Sequence, residues 1–167
     1  MGFETDPWLS ETKERLTSHC LPCMTGLYEA LKEKPETIAL THAWNCWKVT
    51  VVARDADEAL FMLQAFGERY PEEPVRGKFG GNVGRPTAAL IFHTDSEAKR
   101  DRVRDLLARL IDEAFPGRTV FISRACGNPY ETLLGPWKDW TRTCRIAHPE
   151  RIEAVRTALR DSLYRNS

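Results

Sequence analysis

Between residues 46 and 123 the sequence passes twice from a strand-like to a helix-like pattern and then ends on another strand-like run. In the first cycle apolar residues take one parity of an alternating pattern, and Asp55 and Glu58 then have the spacing of an N-terminal capping box. Apolar residues at helical intervals continue to Tyr70. This order of elements constrains the fold most, because a helix that connects two strands of one sheet joins parallel strands.

The second cycle is the more regular of the two. Residues 87–93 are a short, nearly all-apolar run of the kind found in a central strand. Thr94 and Glu97 have capping-box spacing, and Pro116 ends the helix that follows them. The apolar stripe of this helix consists of Val103, Leu106, Leu107, Leu110, Ile111 and Ala114. Residues 119–123 are predicted to form the last strand.

The predicted order of elements lacks one short strand of the split βαββαβ arrangement, which is called ferredoxin-like. Residues 74–79 could supply this missing strand. The sequence therefore predicts an α+β fold with a ferredoxin-like antiparallel sheet and additional N- and C-terminal helices. Residues 37–42 are available to extend that sheet, and a phase change near Asn45 predicts a bulge or a tight hairpin. A three-layer α/β fold is the alternative, because short strand–helix repeats alone do not separate the two.

Helices are predicted at both ends of the chain. Asp6 and Pro7 are residue types that favour a helix start, and Pro22 divides the region before Pro35 into two short helices or one kinked helix. Apolar residues recur at helical spacing in residues 152–163. The pattern therefore predicts an amphipathic C-terminal helix.

A chain of 167 residues is long enough to build one core without disulfides or a metal ion. We predict a single domain, residues 1–167, because no linker or repeat interrupts the sequence. Its parts are an N-terminal helical extension (1–35), an α+β core (37–126) and a C-terminal aromatic segment and helix (127–167).

The segment from Arg76 to Pro86 combines four glycines with three cationic side chains. Such a segment provides a flexible backbone, many N–H groups and local positive charge, which suit an anion. It is not a Walker loop, because Lys78 is followed by Phe79 and the segment leads into a strand rather than a helix. A flexible connector with solvated charges is the alternative interpretation.

Topology predicts which residues join this segment. In a βαββαβ sheet the first two strands run one way and the last two the other, so the glycine-rich segment lies at the same end as Arg54 and Arg118. The helix that begins after Asp55 adds its positive N-terminus there. We therefore predict a site for a small anionic molecule that bears phosphate or carboxylate. The predicted ligand-binding residues are Arg54, Arg76, Lys78, Gly80, Gly81, Asn82, Arg85 and Arg118.

The five cysteines contain one motif, in which Cys20 and Cys23 are separated by two residues. This spacing lets two sulfur atoms reach one metal ion or each other, so a zinc or iron–sulfur centre is the second functional hypothesis. The predicted metal ligands are Cys20, Cys23, His19, Cys46 and Cys126. The alternatives are inert buried thiols and a redox-active pair, the latter favoured if Pro22 opens a helix beside Cys20.

Charge and hydropathy bear on the partners. The 24 basic and 24 acidic side chains give a net charge of zero, which argues against nucleic acid as a partner. Neither a membrane-length apolar run nor a cationic, apolar leader is present, so we expect a cytoplasmic protein that does not bind membranes.

An aromatic segment follows the predicted core and contains Tyr130, Trp137 and Trp140. It either packs within the chain or forms a homodimer interface. The third hypothesis is accordingly a self-associating structural or regulatory module.

Overall fold

The computed structural model describes the backbone of residues 7–73, 77–81, 88–125 and 127–164, and the side chains of residues 20–73, 88–125 and 129–164. Within these residues the chain is a mixed α+β protein. Its contacts divide it into two compact units. The first unit comprises the chain up to Thr17 and Trp47–Ser123, and the second comprises Ser18–Cys46 and the chain from Arg124 onwards.

Helices and strands alternate along much of the described chain. The helices are α1 (Pro7–Lys32), α2 (Thr41–Asn45), α3 (Ala56–Arg69), α4 (Glu97–Ala114), α5 (Gly127–Leu134) and α6 (Ile152–Tyr164). The strands are β1 (Thr37–Ala39), β2 (Trp47–Ala53), β3 (Gly77–Gly81), β4 (Ala88–Thr94), β5 (Val120–Arg124) and β6 (Thr143–Arg145). The predicted α+β class and the additional helices at both ends are confirmed.

The sheet of the first unit has the strand order β3-β4-β2-β5. Strand β4 runs antiparallel to both β2 and β3. Buried residues alternate along β2, and α3 and α4 cover the face to which they point. The additional strand expected at residues 74–79 is observed as β3. The first half of the glycine-rich segment is therefore part of the sheet.

Helix caps explain where α3 and α4 begin. Asp55 accepts a hydrogen bond from the Glu58 amide at 2.8 Å, which confirms the capping pair predicted for α3. The cap predicted for α4 was wrong, because Thr94 still belongs to β4, opposite Trp47. Ser96 caps α4 instead. The pairing of β4 with β2 thus delays the start of the helix by about half a turn.

The second unit is built around a different, two-stranded sheet. Strands β1 and β6 pair antiparallel, with Ile38 opposite Cys144. Residues 37–42 therefore do not extend the larger sheet, which corrects that prediction. The predicted bulge or hairpin near Asn45 was also wrong, because the short helix α2 interrupts the strand pattern there. An alternating pattern cannot reveal a strand partner that lies about a hundred residues away.

Helix α1 is continuous and contains Pro22 in its interior. Of the two predicted alternatives, two short helices are excluded, and a single helix that contains Pro22 is observed. Proline has no N–H group, so the turn around Pro22 lacks the hydrogen bond that the Ser18 carbonyl would otherwise accept. The helix survives because apolar residues on its C-terminal half, such as Leu27 and Leu31, are buried in the core of the second unit.

Gly26 is a further weak point of α1, and replacing it with alanine should stabilise the protein. Gly26 is exposed, and a Cβ atom added there meets no heavy atom within 4 Å. We expect Gly26→Ala to raise the free energy of unfolding by about 0.5–1 kcal/mol, because alanine loses less backbone entropy in a helix. Urea unfolding monitored by circular dichroism measures the change.

Gly135 provides the matched control. A Cβ atom there also has open space, but the backbone has φ +78°. Gly135→Ala should therefore lower the free energy of unfolding by about 1–2 kcal/mol, since left-handed backbone strains a residue with a side chain. Equal effects of the two substitutions would contradict this explanation.

Candidate functional site

A row of paired residues crosses one end of the larger sheet. Ala88, the first residue of β4, pairs with Gly81 on one side and with Ala53 on the other. Arg54 follows Ala53 directly, so both ends of the connection between β3 and β4 meet the sheet beside Arg54. Residues 82–87, which form that connection, lie outside the described residues. The predicted proximity of Arg54 to the termini of the glycine-rich connection follows from this register.

Glu58, in the first turn of α3, brings two of the predicted arginines together. The Arg54 amide donates to Glu58 Oε2 at 2.5 Å. Arg118 donates from Nε to Oε2 and from Nη2 to Oε1, both at 2.9 Å. Arg54 and Arg118 therefore share one carboxylate, as expected for two residues at the same end of the sheet.

Carboxylates already neutralise both arginines. Arg54 Nε donates to Asp55 Oδ2 at 2.8 Å, and the Arg54 guanidinium lowers the pKa of Asp55. The Arg118 guanidinium, helped by the Arg54 amide, holds the pKa of Glu58 below its ordinary value. Excess positive charge at this end must therefore come from the glycine-rich segment, which contains no acidic residue.

The two ion pairs differ in how firmly they hold their arginines. The Arg54 side chain is 70% exposed and its partner Asp55 is 44% exposed. Arg118 is 27% exposed and bidentate, and its partner Glu58 is 11% exposed. Exposed ion pairs contribute little because water and salt screen them, whereas bidentate geometry fixes a guanidinium. The Arg54 guanidinium is accordingly accessible to solvent, whereas Arg118 is a structural anchor.

The glycine-rich residues fall into two groups. Lys78 pairs with Ile91 and Gly80 pairs with Ala89, so both belong to strand β3 rather than to a loop. Lys78 is three residues from Gly81, so its backbone lies along the sheet and not at the end of it, which corrects its predicted place beside Arg54. Three predicted ligand-binding residues, Arg76, Asn82 and Arg85, lie outside the described residues.

The Glu58 ion pair should make stability depend on pH. The pKa of Glu58 is lowered in the folded protein, so the ionised carboxylate stabilises the folded state at pH values above about 4.3, the pKa of an unfolded glutamate. This contribution is lost as the pH falls through the folded-state pKa. We expect the melting temperature of the wild type to fall more between about pH 6 and about pH 3 than that of Glu58→Gln. Glu72→Gln, at an exposed position, is the control. Parallel curves for wild type and Glu58→Gln would contradict the assignment.

Cys20 and Cys23 lie one turn apart within α1. Cys20 is partly exposed, whereas Cys23 is 6% exposed and its Sγ shares a 3.3 Å hydrogen bond with Tyr130 Oη. Because α1 begins at Pro7, Cys20 is far from the positive N-terminus of the helix. The prediction that Pro22 opens a helix beside Cys20 is corrected accordingly.

The other predicted metal ligands are only partly described. Cys46 is buried, and its carbonyl accepts a hydrogen bond from the Ala125 amide at 2.8 Å. The His19 side chain and Cys126 lie outside the described residues. Among the residues that are described, no group of three or more His, Cys, Asp or Glu side chains is arranged to hold a metal ion. The metal centre stays a prediction.

Trp44 is close to two guanidinium groups in the second unit. The Arg124 and Arg142 Cζ atoms are 4.0 and 5.7 Å from the centroid of its ring. Arg124 is 8% exposed and also donates from Nη1 to the Trp44 carbonyl oxygen. These contacts stabilise α2 by cation–π attraction. No local sequence signal predicts them, because the arginines are distant from Trp44 in the chain.

The aromatic segment belongs to the core of the second unit. Tyr130 and Trp140 are buried, with ring centroids 5.9 Å apart, and Trp140 Nε1 donates to the Gly135 carbonyl at 2.9 Å. Trp137 is partly buried against the same core. The segment therefore packs within the chain, which was one of its two predicted roles.

A surface groove of about 420 Å³ also lies in the second unit. Its lining includes Lys34, Arg145, Ile146 and Ile152, and Lys34 Nζ is 3.4 Å from a carboxylate oxygen of Glu153. These residues come from three separate stretches of sequence, so no motif predicts the groove. Its mixed charges give it no evident preference for one ligand class.

Within the described part of the chain, no helix combines the length and apolarity needed to cross a membrane. Searches against models of known protein families, curated proteins and solved structures found no significant match. Functional inference therefore rests on the residues and their geometry.

Proposed function

We propose that the chain binds a small anionic molecule, bearing phosphate or carboxylate, at the end of the larger sheet marked by Ala53, Ala88 and Gly81. The observation that carries this proposal is the register across these three residues, which brings both ends of the glycine-rich connection to Arg54. The sequence of this connection contains the cation Arg85 and the small residue Gly84, and Arg54 supplies an exposed guanidinium. Together they are the donors that an anion requires.

We also propose that the first unit is ferredoxin-like. The order β3-β4-β2-β5, with α3 following β2 and α4 following β4, is the order of a βαββαβ sheet and supports this assignment. The antiparallel neighbours of β4 argue against the three-layer α/β alternative, whose sheet is mostly parallel.

In this site Arg54 contacts the ligand and Arg118 is a positioning residue. An incoming anion competes with Asp55 for the exposed Arg54 guanidinium, because their ion pair is solvated. Arg118 keeps both of its hydrogen bonds to Glu58 and so holds the first turn of α3 in place. The two arginines should therefore respond differently to substitution.

Calorimetric titration with inorganic phosphate and with citrate tests the site. We expect Arg54→Gln and Arg85→Ala each to weaken binding about tenfold, which is the usual effect of losing one charge-assisted hydrogen bond, without lowering the melting temperature. Arg118→Gln should lower the melting temperature. Arg69→Gln removes an exposed arginine from the opposite end of α3 and should leave binding unchanged. Wild-type affinity in both Arg54→Gln and Arg85→Ala would refute the proposal.

Self-association is a second candidate function, favoured by the sheet face opposite α3 and α4. Val52 lies between two buried residues of β2 and is 43% exposed, and Phe121 lies between Val120 and Ile122 and is 52% exposed. Exposed apolar side chains on one sheet face favour contact with another protein surface. We expect Phe121→Lys to weaken any dimer. Sedimentation as a monomer at every concentration would exclude this function.

A further inference from the structure

We propose that Cys20 and Cys23 form a reversible intrahelical disulfide, which makes α1 sensitive to the thiol–disulfide balance around the protein. The structure places both residues one turn apart in a single helix and in the thiol form. This role is separate from anion binding, because it involves neither the larger sheet nor its arginines.

Helix geometry brings the two cysteines close to bonding distance. Residues three apart in an α-helix have Cα atoms about 5 Å apart, within the range of about 4.4–6.8 Å found in disulfides. Their Cβ atoms, however, are about 5–6 Å apart in a regular helix, against about 3.5–4.5 Å in a disulfide. The turn must therefore tighten by about 1–2 Å for the bond to form.

Pro22 lies between the two cysteines and makes this tightening easier. A regular turn would lose a backbone hydrogen bond when it deforms, but the bond from residue 22 to the Ser18 carbonyl is already absent. Proline is the commonest site of helix distortion for the same reason. The sequence Cys20-Leu21-Pro22-Cys23 thus combines two thiols with the most deformable turn of α1.

The two thiols occupy different environments, which sets the order of the reaction. Cys20 is partly exposed and can meet a dissolved disulfide, whereas Cys23 is buried. The Tyr130 hydroxyl lies 3.3 Å from Cys23 Sγ and can donate a hydrogen bond to its thiolate. Cys20 is therefore the attacking residue and Cys23 the resolving residue.

A low-molecular-weight disulfide such as oxidised glutathione is the oxidant in this reaction. The Cys20 thiolate attacks one sulfur of glutathione disulfide, and one glutathione thiolate leaves. The Cys23 thiolate then attacks the Cys20 sulfur, which releases the second glutathione and forms the Cys20–Cys23 bond. The two thiol protons pass to the released thiolates. Two electrons have moved from the protein to the glutathione, and reduced glutathione reverses the reaction.

Two sulfur atoms suffice for this exchange, whereas a structural metal centre usually needs four protein ligands. Within the described residues no group of three or more potential ligands is placed to hold a metal. Disulfide exchange therefore needs no residue beyond Cys20 and Cys23, both of which the structure describes.

Alkylation and peptide mass spectrometry test the proposal on the full chain. Protein treated with a chelator is equilibrated with mixtures of reduced and oxidised glutathione, alkylated and digested with trypsin. Cleavage after Arg15 and Lys32 releases both cysteines in one peptide. As the buffer becomes oxidising, we expect the mass of this peptide to fall by two hydrogen atoms and both of its cysteines to escape alkylation. Reduction should reverse both changes.

Pro22→Ala should decrease the oxidised fraction at a given glutathione ratio, because the turn is then harder to deform.

Substitutions distinguish this result from general oxidation. Cys20→Ser and Cys23→Ser should each abolish the internal disulfide, while Cys144→Ser, a buried cysteine of the same unit, should leave it unchanged. A persistent mixed disulfide on Cys20, a bond to another cysteine, or a peptide that stays reduced would overturn the proposal. One tightly bound zinc ion per chain in protein purified without chelator would also overturn it, since the pair would then be a metal site.

Discussion

Phe66→Ala is expected to lower the free energy of unfolding of the first unit by about 3–5 kcal/mol, the usual cost of deleting a buried aromatic ring. Phe66 is 1% exposed and lies in α3, where its ring centroid is 4.7 Å from that of Phe92 and 5.1 Å from that of Tyr70. Alanine would leave a cavity between α3 and the central strand β4. Denaturant unfolding followed by circular dichroism measures the loss.

Phe61→Ala is the control, because it is the same substitution in the same helix at a side chain that is 65% exposed. Its effect should stay within about 0.5 kcal/mol. Similar losses at Phe61 and Phe66 would show that the burial of α3 is not as described.

Leu31→Ala should lower the free energy of unfolding of the second unit by about 2–5 kcal/mol. Leu31 is fully buried near the end of α1, in a core that also contains Leu133 and Val155. Truncation removes dispersion contacts within this core that neighbouring side chains cannot fully recover. Thermal unfolding and denaturant titration both report the change.

Leu21→Ala is the matched control for Leu31, since Leu21 lies in the same helix and is 48% exposed. We expect an effect within about 0.5 kcal/mol. A loss at Leu21 as large as that at Leu31 would contradict the assigned orientation of α1.

Together Phe66→Ala and Leu31→Ala test the prediction of a single domain. If residues 1–167 unfold as one cooperative unit, both substitutions shift the same transition. If the two units unfold separately, each substitution shifts its own transition and leaves the other in place. Calorimetry combined with tryptophan fluorescence distinguishes the two outcomes.

Local elements were the most predictable part of the fold. The Asp55 cap, the C-terminal helix α6 and most of the apolar stripe of α4 are observed, because caps and helical periodicity act within about four residues. Ala114 is the exception, since it is exposed at the end of α4. The strand β3 was harder to predict, since a glycine-rich strand carries almost no apolar pattern. Its position is determined by pairing with β4.

The candidate anion site was predictable only in outline. The order of strands and helices was enough to expect Arg54 and Arg118 at one end of the sheet, and both contact Glu58 there. Their neutralisation by acidic partners was not predictable, because the pair between Arg118 and Glu58 joins residues 60 positions apart. That pairing separates an exposed Arg54 from an anchored Arg118.

The sequence by itself determined where α3, α4 and α6 form, where the cationic glycine-rich segment lies and which two thiols are separated by two residues, because these properties depend on neighbours in the chain. Only the tertiary structure decided that β1 pairs with β6, that Glu58 holds Arg118 and that Tyr130 contacts Cys23. Those contacts join distant segments, and many partners are compatible with the same local pattern. Burial and hydrogen bonding select one of them.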